Sequence, residues 1–304
     1  MSSKKIIITC GDPAGVGPEI VLQWAAAHPA LADQVIVTGS RSWLEGSAEL
    51  VGFERAAVGP CDFEATPGQP TEEGARVALA ALEEAADGCR RGRARAVVTG
   101  PVSKFWMRKA GFLFPGQTEF FAARWGGDPV MAFGGGKLRV VLATWHIPLA
   151  RVPEALNRGN LERAVMAADR LSRLCGVHTP PRIGVCGLNP HAGEEGLLGT
   201  EERDWIDPLL NQLREKVPGL SRTQPGDTIF WRALRGEFDV IVALYHDQGL
   251  APLKAVDFEE SVNVTLGLPF LRTSPDHGTA YDIAGRGRAN SRSFARAVEL
   301  AIAG

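Results

Sequence analysis

The sequence is short of the features that mark several protein classes. Its five cysteines (Cys10, Cys61, Cys89, Cys175 and Cys186) are odd in number and form no Cys-x-x-Cys pair, which argues against a disulfide framework or a structural zinc knuckle. They read instead as reduced, mostly buried small apolar residues. No apolar run approaches the ~18 residues that a membrane span needs, and the run after Lys4-Lys5 stops at Gly11-Asp12-Pro13, too short for a secretion signal. Lys+Arg 33 against Asp+Glu 35 leaves a net charge of −2 with no block of one sign, so nothing points to a nucleic-acid or membrane partner. The expected setting is cytoplasmic and soluble. The common nucleotide signatures fail as well. Gly15-Val16-Gly17 meets Ile20 where a third glycine belongs, and Gly285-Arg286-Gly287 meets Asn290. Gly134-Gly135-Gly136-Lys137 lacks the leading glycine of a phosphate loop and its Ser/Thr, and no His-Glu-x-x-His occurs.

What is present is ordinary globular composition, 45% hydrophobic and 22% charged, enriched in Gly (35) and Pro (20) over 304 residues. With no low-complexity tract, that excess belongs in turns and close backbone approaches. Near-continuous apolar runs predict strands over Ile6–Thr9, Val35–Thr38, Ala96–Thr99, Arg139–Thr144, Ile183–Cys186, Val240–Tyr245 and Val262–Leu266. Between them, helices are expected over Pro18–Ala27, Thr71–Ala86, Thr118–Trp125, Asn160–Leu174, Glu201–Leu213, Asp227–Leu234 and Ser291–Ile302. Strand alternating with helix is the pattern of an α/β fold with a largely parallel sheet.

Three histidines share a position. His146, His191 and His246 each stand at or just past the end of a predicted strand, where open α/β sheets bind ligands. Three imidazoles there can hold a divalent ion; hydrogen-bonded structural histidines are the competing reading. His28 and His178 lie in polar contexts and are expected to be solvated. Asp247 adjoins His246. Asp227 follows Pro225-Gly226 at a predicted helix start, and there a capping role and a functional carboxylate are both open. Lys254, Asn263 and Arg272 follow the third histidine and together suit a phosphate.

Gly11-Asp-Pro-Ala-Gly-Val-Gly-Pro-Glu19, Leu188-Asn-Pro-His-Ala-Gly-Glu194, Tyr245-His-Asp-Gln-Gly-Leu250 and Asp276-His-Gly-Thr-Ala280 resemble the 4-hydroxythreonine-4-phosphate dehydrogenase family of pyridoxal phosphate biosynthesis. The resemblance runs from about residue 6 to the C-terminus. It implies a three-layer α/β/α fold of the isocitrate/isopropylmalate dehydrogenase type, with two interlaced lobes around a cleft. One lobe is expected over 1–114 plus 270–304 and the other, with the metal, substrate and dimer residues, over 115–269. The resemblance makes His146, His191 and His246 ligands of one divalent ion (zinc, cobalt, magnesium or similar). It makes Gln117, Thr118, Lys254, Asn263 and Arg272 substrate contacts, with Asp227 and Asp247 as catalytic carboxylates near the metal. His277, Gly278, Thr279, Asp282 and Asn290 fall in a cofactor loop at 277–290 for NAD or NADP. The implied partners are a small phosphorylated substrate and a second copy of the chain completing each site. Phe105, Trp106, Phe112 and Phe114 are candidates for that interface. One position departs: the family reads Gly-His-Thr-Glu where this chain reads Gly116-Gln117-Thr118-Glu119. Competing readings are a dehydrogenase for threonate or erythronate 4-phosphate and, from another class, a three-histidine zinc hydrolase.

Overall fold

The computed structural model describes residues 5–177 and 179–304, so His178 lies outside the described residues. The strands are β1 (Lys5–Thr9), β2 (Val35–Gly39), β3 (Glu54–Ala57), β4 (Ala94–Thr99), β5 (Val130–Gly134), β6 (Val140–Leu142), β7 (Ile183–Cys186), β8 (Leu220–Gln224), β9 (Val240–Ala243), β10 (Val262–Leu266) and β11 (Leu271–Pro275). The chain forms two compact units, Met1–Pro129 with Leu268–Gly304, and Val130–Gly267. The first break falls at 129/130, later than the expected 114/115, because the helix Gln117–Trp125 packs Phe120 and Phe121 into the first unit's core.

The first unit is built on five strands in the order β3-β2-β1-β4-β11, all parallel. Ile7, Ile36 and Val97 face the helix Glu72–Arg90, which starts where Thr71 Oγ1 accepts the Gly74 amide at 3.0 Å. Their neighbours Ile6, Ile8 and Val98 are as fully buried, and the helix Arg292–Ala303 packs on β4 and β11. Burial on both faces explains the unbroken apolar runs. Phe112 is buried in this core with Trp106 and Phe114 packed against it, so of the four aromatics assigned to an interface only Phe105 is exposed. His28 is not simply solvated: its ring stacks on Trp24 and its Nδ1 lies 2.8 Å from the Trp24 carbonyl.

The second unit orders its strands β10-β5-β6-β9-β7-β8. β6, β9, β7 and β8 are parallel, and β5 is the strand that runs antiparallel to its neighbours β6 and β10, so the sheet is largely parallel as expected. The helix Arg158–Leu174, opened by a capping box between Asn157 and Asn160, packs on β5, β6 and β9. Phe133, Val140, Leu142 and Ile241 meet the helices Ile229–Leu234 and His246–Asp257 through Ile229, Phe230, Leu250 and Leu253. His246 stands just past the end of β9, as expected, and begins the next helix. Every described cysteine is free, and only Cys61 is exposed.

Candidate functional site

In the second unit, His246 takes the first position of its helix and Asp247 the second, where a carboxylate is favoured by the helix dipole. Asp247 Oδ1 stands 2.8 Å from His246 Nδ1, which leaves Nε2 for another partner. The His146 ring lies 5.6 Å from that of His246, and both line a cavity of about 280 Å³ together with Trp145, Tyr245 and Asp247. His146 has φ +49°, a left-handed conformation that a non-glycine residue adopts at a cost.

His191 lies elsewhere. It shares a second cavity, of about 600 Å³, with Asn189, Asp227, Tyr245 and Gln248, so Tyr245 walls both cavities. The turn around it is left-handed from His191 through Glu195, with φ between +44° and +83°. Asn189 anchors the turn by donating its side-chain amide to Glu201 (2.7 Å) and Glu202 (2.9 Å). His191 Nδ1 meets Glu194 Oε2 at 3.0 Å. Asp227 is not a helix cap: Thr228 precedes the helix Ile229–Leu234, leaving Asp227 on the wall of the His191 cavity. Among the described residues no three His, Cys, Asp or Glu side chains stand close enough to hold an ion. The donors still fit one in kind. An imidazole centroid lies roughly 3.2 Å from a metal at its nitrogen, so rings 5.6 Å apart match two ligands of one ion. Two of the three Nδ1 atoms are already engaged by carboxylates.

Gln248 is a residue that the sequence reading missed. Its Oε1 accepts the Leu244 amide at 2.7 Å and its Nε2 donates to the Gly187 carbonyl at 2.7 Å, tying the end of β9 to the end of β7. Its only signal was its place inside Tyr245–Leu250. Lys254 is half-buried on the same helix, its Nζ 5.8 Å from the Phe258 ring, and Asn263 is half-buried in β10.

In the first unit, Arg272 sits inside β11 and is only 4% exposed. Its Nη2 donates to Thr99 Oγ1 (2.7 Å) and Gln117 Oε1 (3.0 Å), and its Nε donates to Thr99 Oγ1 (3.1 Å). Burial pulls the guanidinium down from its usual range to about 10, against an opposing pull from the Glu119 carboxylate. Thr118 is buried beside Gln117 in the first turn of its helix. Gln117 thus meets Arg272 as an acceptor.

The stretch 276–291 forms the other feature of this unit. His277 Nδ1 lies 3.0 Å from the Gly278 carbonyl, while its Nε2 is buried with no hydrogen-bond partner. The Thr279 carbonyl accepts the Val16 amide at 2.9 Å, and a Cβ on Gly15 would come within 2.8 Å of that oxygen, so only glycine admits this approach. Asp282 is exposed, and Asn290 Oδ1 accepts the Arg292 amide at 3.0 Å. A glycine-cradled loop with an orphaned imidazole nitrogen suits a polar ligand laid along it, as the expected dinucleotide would be.

Comparison with known proteins identifies the fold and the family. Isocitrate dehydrogenase from Methylococcus capsulatus superposes over 99% of this chain and 86% of its own, with a TM-score of 0.51 at 17% identity, which shows the fold alone. The protein thus has an α/β fold like that of isocitrate dehydrogenase. Residues 17–301 match the family described as Pyridoxal phosphate biosynthetic protein PdxA, and the chain belongs to that family. It is 43% identical over 310 residues to the 4-hydroxythreonine-4-phosphate dehydrogenase of Ruegeria sp. (strain TM1040), covering 97% of this chain and 95% of the relative. A crystal structure of 4-hydroxythreonine-4-phosphate dehydrogenase from Klebsiella pneumoniae matches over 99% of both chains at 34% identity, with a TM-score of 0.81. Relatives so named are oxidoreductases, and no helix among the described residues is long and apolar enough to cross a membrane.

Proposed function

We propose that this protein is a cytoplasmic, metal-dependent NAD(P) dehydrogenase that oxidises the C3 hydroxyl of 4-phosphooxy-L-threonine. That oxidation removes a hydride from the hydroxyl carbon and a proton from the hydroxyl, giving 2-amino-3-oxo-4-phosphooxybutanoate. That β-keto acid then releases carbon dioxide to leave 3-amino-2-oxopropyl phosphate. When bound, the dinucleotide supplies the hydride acceptor and the cation the Lewis acidity. His146, His191 and His246 would hold the cation, with Asp247 accepting from His246 Nδ1–H to aim Nε2 at it. Asp227 takes the hydroxyl proton on its carboxylate. Arg272, Lys254 and Asn263 bind the phosphate end, with Gln117 and Thr118 shaping that subsite, so that remote binding energy orients the reacting carbon. His277, Gly278, Thr279, Asp282 and Asn290 bind the dinucleotide. A second copy of the chain completes each site in a homodimer.

The observation that carries this reading is Arg272. A guanidinium buried in a strand, its charge disfavoured by burial and favoured by the Glu119 carboxylate, is a fixed cation suited to an anionic group of a ligand. Relatives named 4-hydroxythreonine-4-phosphate dehydrogenase support a phosphate as that anion. A second reading, oxidation of threonate or erythronate 4-phosphate, is favoured by Gln117, whose acceptor oxygen is spent on Arg272. A panel of 4-phosphorylated hydroxy acids, followed by NAD(P)H absorbance with each dinucleotide and with and without added divalent metal, decides. Preference for 4-phosphooxy-L-threonine supports the first reading and preference for a threonate the second. Absence of NAD(P)H formation with every acid would refute both and bring back the hydrolase.

A further inference from the structure

We propose that Glu19 is a positioning residue that clamps the loop Gly285–Ala289 for the dinucleotide; this rests on the cofactor reading given above. Glu19 stands in the first turn of the helix Gly17–Ala27, half-buried. Its Oε2 accepts the Gly285 amide at 3.1 Å and its Oε1 accepts the Ala289 amide at 3.1 Å. One carboxylate therefore closes both ends of Gly285-Arg286-Gly287-Arg288-Ala289. Within that turn Gly285 and Gly287 take φ +71° and +66°, and the two arginines between the anchored ends are exposed.

A turn with left-handed glycines and two like charges loses much conformational freedom when it is ordered. Charge-assisted acceptance of two amides supplies the compensation, and the negative charge also offsets the arginine pair. A second acidic anchor holds the same loop upstream: Tyr281 donates its hydroxyl to Asp12 Oδ2 at 2.5 Å, and Asp12 is 2% exposed. Both anchors come from Gly11–Glu19. The clamp thus sets the backbone and the arginines before the dinucleotide arrives, so that less ordering is charged against its binding. Glu19 touches the loop and not the reacting atoms, so its effect falls on affinity and not on turnover.

The test compares Glu19→Gln and Tyr281→Phe with the parent, using the full chain. Glutamine keeps one acceptor oxygen but turns a donor toward the second amide. Three readouts are taken: amide hydrogen exchange over 281–289 without ligand, NAD+ and NADP+ titration by tryptophan fluorescence, and kcat against KM for the dinucleotide. Expected for Glu19→Gln are about tenfold faster exchange at Gly285 and Ala289, a dinucleotide Kd and KM raised about tenfold, and kcat unchanged within twofold. Tyr281→Phe should accelerate exchange near residue 281 in the same way. Unchanged exchange would overturn the clamp, and faster exchange with unchanged Kd would overturn its link to the dinucleotide. A parent protein that binds neither NAD+ nor NADP+ would overturn the cofactor reading itself, whereas a parent that binds and a variant that binds equally well overturns only the role given to Glu19.

Discussion

Replacing Gln117 by histidine, the residue that the family resemblance leads one to expect there, tests how Arg272 is used. A histidine at that position suggests extra positive charge for the phosphate, but the geometry works against it. Gln117 Oε1 lies 3.0 Å from Arg272 Nη2, so an imidazolium there would place its charge roughly 4–5 Å from the guanidinium. At an effective dielectric of ~20–40 that repulsion costs about 2–4 kcal/mol, equivalent to roughly 1.5–3 pKa units. Partial burial pushes in the same direction, and the Glu119 carboxylate gives some of it back. In Gln117→His the imidazole should therefore titrate at or below ~5 in the free protein, well under the ordinary ~6.5, and accept from Arg272 as a neutral ring. Inorganic phosphate, by neutralising Arg272, should raise that value again. Proton NMR of the histidine C2–H with and without phosphate reads both effects, and the pH profile of kcat/KM should gain a step on the acid side. A value at or above ~6.5 in the phosphate-free variant would refute the argument, because it would mean that position 117 does not feel the buried guanidinium. Profiles that superimpose while substrate preference changes would instead make Gln117 a selector by hydrogen-bond geometry.

Arg272→Ala should lower kcat/KM for the phosphorylated substrate by about 2–4 kcal/mol and erase discrimination against its dephosphorylated form, as competition kinetics with the two substrates would show. His191→Ala should bind less than stoichiometric metal by elemental analysis and lose turnover while keeping its circular dichroism, and full occupancy with normal turnover would reject the ligand assignment. Burial pushes the Cys10 thiol up to about 12 and raises Cys186 further, from an ordinary 9.0. Both folded-state values lie above the unfolded one, so this contribution to stability is intact below pH ~9 and is lost as pH rises toward ~12, at about 1.4 kcal/mol for each thiol by pH 10. Urea unfolding between pH 8 and 10 should show that fall, with a shallower slope in Cys186→Ala; equal slopes would contradict it. Sedimentation should show a dimer, and a fully active monomer would reject a site completed by the partner.

The parts of the fold legible in the sequence were those where hydrophobic burial alone decides. Ile6–Ile8, Val35–Val37 and Val240–Val242 are buried on both faces, and an unbroken β-branched run has no other economical use. The strands that escaped notice obey other constraints. β3 (Glu-Arg-Ala-Ala) and β8 (Leu-Ser-Arg-Thr-Gln) are edge strands with polar residues facing water, and β5 (Val-Met-Ala-Phe-Gly) has little β-branching. The helix His246–Asp257 contains Gly249 and Pro252, which read as breaks until packing on β6 and β9 overrides them. The candidate site divides in the same way. Histidines near strand ends can be found by position, but the left-handed turn at His191 is anchored by the tertiary contacts of Asn189 with Glu201 and Glu202, which no local pattern shows. A first-turn glutamate such as Glu19 looks like any residue that complements a helix dipole until its two acceptor bonds are seen.

β11 joins these two failures. Leu-Arg-Thr-Ser-Pro carries a charge and two hydroxyls, so any hydropathy rule assigns it to the surface, yet all five residues are buried. Thr273 escapes the penalty by donating to the Ala297 carbonyl at 2.7 Å, which is a structural solution and nothing more. Arg272 does not escape it so simply. It donates to Thr99 and Gln117, and burial pulls its proton affinity down while the Glu119 carboxylate pulls it back up. A guanidinium buried in a strand costs desolvation that an apolar residue would not, so its presence there calls for a role that an apolar residue cannot fill. The pattern failed to announce β11 because of the same buried charge on which the proposed phosphate anchor rests: local consistency breaks first where a position is asked to do more than fold.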